Sequence, residues 1–131
     1  MDTVFATFAA GAVGFLLWMR FRPSLSREIR RACASRELSG LIDFVNGKPN
    51  EAARATAFNM ATRTLWDQYE RKLAAGLIRG LGAGLSSTNI AQYWMKQTLE
   101  VEPEIAGETF DEEFLREYYN PEHAARCGKF G

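Results

Sequence analysis

The chain has a single histidine, two cysteines and four prolines in 131 residues, and its formal net charge is zero. Two cysteines cannot build a disulfide scaffold. With one histidine, a His-rich metal centre is not available either. A neutral total argues against a general nucleic-acid binder, whose affinity comes from basic residues that displace counterions from phosphates. No run of β-branched residues with a period of two occurs, so an all-α fold is expected. No internal repeat or low-complexity tract is present.

The zero total hides an uneven distribution. Over residues 1–99, Lys and Arg outnumber Asp and Glu 13 to 7; over residues 100–131 they are outnumbered 9 to 3. A dipolar chain of this kind can fold its acidic part onto its own basic part or offer it to a basic partner.

From Thr3 to Met19, 17 residues carry no charge, and Arg20, Arg22, Arg27, Arg30, Arg31 and Arg36 follow. That length is just sufficient for a membrane-spanning helix, with Trp18 where an interfacial aromatic belongs. A cleavable signal would place a basic residue ahead of the apolar core, whereas only Asp2 stands there, so a retained anchor is expected over residues 1–20. The arginine flank puts Met1 outside and the remainder on the inner side of a bacterial or mitochondrial inner membrane. Ala6, Ala10 and Gly14 recur at four-residue spacing, which lets a second membrane helix approach closely.

Residues 21–46 form a basic juxtamembrane segment. Pro23 and Ser24 can open a helix. Leu25, Ile29, Ala32 and Cys33 lie on one face of it and Arg27, Arg30 and Arg31 on the other, the pattern of a helix resting on anionic headgroups. Together with Arg20 and Arg22, these arginines are the expected headgroup-facing residues. A second apolar group, Leu38 to Val45, ends at the turn signal Asn46-Gly47-Lys48-Pro49.

Within residues 50–99, Asn50 can cap a long helix through about residue 78, since no proline or glycine interrupts before Gly76. Phe58, Ala61, Leu65, Tyr69 and Leu73 would form its apolar stripe, and its length of roughly 40 Å would suit a strut. Gly76, Gly80, Gly82 and Gly84 then read as a break before a second helix capped by Ser87 or Thr88. This is no phosphate loop, because Leu85 and Ser86 stand where Lys and Ser or Thr are required. The four-residue spacing of Gly76, Gly80 and Gly84 points to a face for close helix packing.

Residues 100–131 make an acidic, aromatic tail. Glu102-Pro103 breaks the preceding helix. Thr109 and Glu112 form a capping box for a short helix that aligns Phe110, Phe114 and Tyr118, an expected partner interface. The carboxylates Asp111, Glu112, Glu113 and Glu117 suit the start of that helix and need no catalytic explanation. His123 and Cys127 stand four apart, but two ligands make no metal site. No catalytic residue, cofactor, metal, nucleic acid or small-molecule substrate is expected.

The expected function is that of a non-catalytic, single-pass accessory subunit of a larger membrane complex, partnered by its other subunits and the bilayer, plausible for an energy-converting membrane. The alternative is a membrane-tethered adaptor that recruits a soluble partner through its C-terminal helices.

Overall fold

The computed structural model describes residues 25–126. The expected membrane helix, with Ala6, Ala10 and Gly14, and the flanking Arg20 and Arg22 lie outside the described residues. These residues form eight α-helices and no strand: α1 (Leu25–Ser35), α2 (Leu38–Asn46), α3 (Glu51–Asp67), α4 (Arg71–Leu85), α5 (Asn89–Val101), α6 (Pro103–Thr109), α7 (Glu112–Tyr118) and α8 (Pro121–Arg126). No helix among the described residues is long and apolar enough to cross a membrane.

The expected single helix over residues 50–78 is instead two helices that pack against each other as a hairpin, α3 and α4. Asn50 does cap the start, its side chain accepting from the Ala53 amide at 2.8 Å. The break falls at Tyr69, which adopts a left-handed backbone with φ of 60°. The Glu70 amide reaches back to the Leu65 carbonyl at 2.9 Å and the Tyr69 amide to Trp66 at 3.1 Å, the paired bonds of a Schellman ending. Arg71 Nε adds a bond to the Trp66 carbonyl at 3.0 Å. Glycine is the usual residue at this position; here a tyrosine bears the strain and is 83% exposed rather than part of an apolar stripe.

A straight helix would have carried Phe58, Ala61 and Leu65 away from Leu77, Ile78, Leu81 and Leu85. Folding back buries all seven in one core. Each fully buried Leu, Ile or Phe contributes about 1.5–3 kcal/mol, more than the roughly 1–2 kcal/mol cost of one left-handed residue.

Helices α1 and α2 pack on α3 and α4, and α5 packs on α3 and α4 from its own side. Helix α6 then packs on α4 and α5, and α8 on α5. Thr88 caps α5, accepting from the Ala91 amide at 3.2 Å. Pro103 opens α6 at its first turn, so the Glu102-Pro103 break separates two helices. The cap of α7 is Asp111, which accepts from the Phe114 amide at 2.9 Å, and not the expected Thr109, which ends α6.

Candidate functional site

The outward face of α1 is basic. Ile29 and Cys33 are fully buried, and burial pushes the Cys33 thiol above its ordinary pKa. That inward register leaves Ser26, Arg27, Arg30, Arg31 and Ala34 exposed. The only acid on α1, Glu28, is half-buried and pairs with Lys48 at 3.5 Å. Beyond the end of α1, Arg36 also takes a left-handed backbone, with φ of 55°, and its Nε meets Glu70 at 3.3 Å. The strained turn at Tyr69 therefore sits beside the C-terminal end of the basic helix.

The glycines of α4 do not break it, since the helix runs through Gly76, Gly80, Gly82 and Gly84 to Leu85. A Cβ at Gly76 would stand 3.0 Å from Leu38 Cδ2, and one at Gly80 would stand 2.6 Å from Ile42 Cδ1. These two therefore admit α2 of the same chain. Gly84 has nothing within 4 Å. Gly82, which lies off the four-residue spacing, faces the other way, where a Cβ would be 2.8 Å from Met95 Cε and 3.2 Å from Phe114 Cζ. Only its glycine identity in an apolar stretch could have pointed to it.

Phe110 and Phe114 are core residues, both nearly fully buried, and Tyr118 packs half-buried against the same core. The rings follow one another, Phe110 to Phe114 at 5.5 Å and Phe114 to Tyr118 at 5.2 Å. The expected exposed partner surface is thus turned inward, because α7 has the apolar side of α4 to cover. Over the outer side of Phe114 lies the Arg79 guanidinium, 4.4 Å from the ring centre, in a cleft of about 270 Å³. Ala83, Asp111, Glu113, Glu117 and Tyr118 complete its lining. The neighbouring Glu117 carboxylate holds the Tyr118 phenol above its ordinary pKa.

Sequence reasoning overlooked Gln92, which is 1% exposed. Its Nε2 donates to the Ser86 carbonyl at 2.6 Å and the Tyr118 carbonyl at 2.8 Å, while its Oε1 accepts from the Asn120 amide at 2.8 Å. One side chain thus joins the α4–α5 turn to the α7–α8 turn. Its place one turn before Met95, on the buried side of α5, is the signal that could have marked it. Trp94 and Asn59 were likewise not paired in advance; the indole donates to Asn59 Oδ1 at 2.9 Å.

His123 Nε2 contacts Asn89 Oδ1, and Cys127 lies outside the described residues. Among the described residues, no group of three His, Cys, Asp or Glu is placed to hold a metal ion. No protein-family model, curated protein or solved structure matches the chain.

Proposed function

We propose that this chain is a non-catalytic accessory subunit of a larger membrane complex, held by the apolar run at residues 3–19 and presenting its helical domain on the inner side. The observation that carries this reading is the succession of an uncharged 17-residue run and a helix whose three arginines all face outward. Excess positive charge directly after an apolar span is what retains a segment on the inner side. The small-residue strip Ala6, Ala10 and Gly14 gives the anchor a face for a neighbouring membrane helix. Contact with other subunits then falls to the anchor and to the exposed helix surfaces, since Phe110 and Phe114 are occupied in the core.

Mild detergent extraction tests it. An accessory subunit co-migrates with a large assembly, and a Gly14→Leu variant loses that co-migration while remaining in the membrane. A chain that migrates alone refutes the subunit reading and supports the second one, a tethered adaptor. That second reading is favoured by one specific observation: α1–α7 bury their apolar faces in one shared core. An adaptor domain must stand by itself between encounters.

A further inference from the structure

We propose that the exposed face of α1, extended by the strained turn at Tyr69, docks on an anionic phospholipid surface. This rests on the reading of residues 3–19 as an anchor. Met19 precedes Leu25 by six residues. At no more than about 3.5 Å per residue, α1 must begin within roughly 20 Å of the end of the apolar run. A helix held there is within reach of the lipid headgroups.

The chemistry of the face suits that occupant. Arg27, Arg30 and Arg31 are exposed along one side of α1, and its only carboxylate is half-buried against Lys48. Arginine is the side chain best matched to phosphate, because its planar fork can donate two parallel hydrogen bonds. Beside the end of this helix, Tyr69 offers a ring that is 83% exposed. Tyrosine settles at headgroup depth, where its ring is apolar and its hydroxyl is hydrated. Glycine would relieve the backbone there, yet a tyrosine occupies the position, next to the Arg36–Glu70 pair. Strain of this sort is retained where a side chain is needed for something other than folding.

Helix α1 packs on α2 and α3, and the acid-rich helix α6 packs on α4 and α5. The start of α6 lies beside the Tyr69 turn, but its Glu102 is paired there with Arg71 at 3.4 Å, and the same guanidinium stands 5.3 Å from the Tyr69 ring. A nucleic acid is disfavoured by the neutral total charge and by the constraint of the anchor.

The test uses the full chain reconstituted into bilayers of phosphatidylcholine alone or with phosphatidylglycerol. A nitroxide on Ser26→Cys, in a Cys127→Ser background, reports collisions with a water-soluble nickel chelate. Docking lowers chelate access in the anionic bilayer only, and high salt restores it. At about 1 kcal/mol per arginine near such a surface, Arg30→Gln with Arg31→Gln weakens the docked state about thirty-fold. Tyr69→Gly weakens it too without loss of helical signal. Equal chelate access in the two bilayers at low salt overturns the proposal. So does equal protection in both that grows with protein concentration, which assigns the face to a second copy. If alkaline carbonate strips the chain, the anchor reading fails separately, and vesicle co-sedimentation decides the docking. Retention on anionic but not neutral vesicles supports it, and retention on neither overturns it.

Discussion

Gly82 and Gly84 are two residues apart on α4, and alanine should act at them with opposite sign. Replacing a helical glycine by alanine contributes about 1 kcal/mol to the helix. At Gly84 there is nothing within 4 Å for the new methyl to meet. Because it lies in the last turn, the gain should be about 0.5–1 kcal/mol. At Gly82 the same methyl is driven to 2.8 Å from Met95 Cε and 3.2 Å from Phe114 Cζ. Met95 is fully buried but its terminal methyl can swing aside. Phe114 cannot, being held between Phe110 and Tyr118 with Arg79 across its face. Overpacking of this kind costs typically about 1–3 kcal/mol, which exceeds the helix gain and leaves a net loss of about 1 kcal/mol. For a domain of about a hundred residues, thermal melting followed by circular dichroism should place Gly82→Ala about 4–8 °C below the parent, with Gly84→Ala above it. In a Phe114→Leu background the obstacle is gone, and Gly82→Ala should become neutral or stabilising. A rise in melting temperature for Gly82→Ala in the parent chain, or an unchanged loss in the Phe114→Leu background, would refute the steric account.

Tyr69→Gly should raise stability by about 0.5–1 kcal/mol, because the left-handed backbone costs a tyrosine about 1–2 kcal/mol and glycine recovers most of this after its larger entropy loss; urea melts measure it. Gln92→Leu takes the partner from the partly buried Ser86 and Tyr118 carbonyls and the Asn120 amide, and should cost about 1–3 kcal/mol in urea melts. In a Cys127→Ser chain, the Cys33 thiol should resist alkylation at mildly alkaline pH until denaturant opens the core, as burial both covers it and disfavours its thiolate. Tyr118 and Tyr119 both ionise above the ordinary value of 10.0, Tyr118 chiefly because of Glu117 and Tyr119 because of burial. The unfolded chain therefore releases their protons first, and stability should fall as pH rises past that value, as urea melts across the alkaline range would record.

Local signals carried most of the helix boundaries. Asn50 and Thr88 are caps by side-chain chemistry, and the turn at Asn46 to Pro49 is written in residues that disfavour helix. The reversal at Tyr69 has no such signature, since neither glycine nor proline stands there. It is imposed by tertiary packing, which rewards two apolar stripes for facing each other more than local geometry penalises the turn. The same limit applies to Phe110 and Phe114. Periodicity shows that they share a face, but what covers the face depends on where α4 lies, and that is a property of the whole chain. Gly76 and Gly80 were recognisable as packing positions from their spacing, while the identity of the neighbour, α2 of the same molecule, was not. For the arginines of α1 the direction was readable, because a basic face opposite Ile29 and Cys33 has only one way to point once those two are buried.

The Gln92 clasp has a kinetic consequence. Helices α1–α4 pack on one another and are all present once Leu85 has been added, whereas the α7–α8 turn, tied to α5 through Gln92, is made last. During synthesis these four helices can begin to assemble as they leave the ribosome, but Gln92 cannot close its bonds until Asn120 has emerged. Until then the side of α4 that receives Met95 and Phe114 is uncovered, and the nascent chain presents Gly82 and its apolar neighbours to the surrounding solution. In the finished protein the order is reversed. Amide exchange at Asn120 should report every opening of the α5–α8 part, because that amide is freed only when Gln92 lets go.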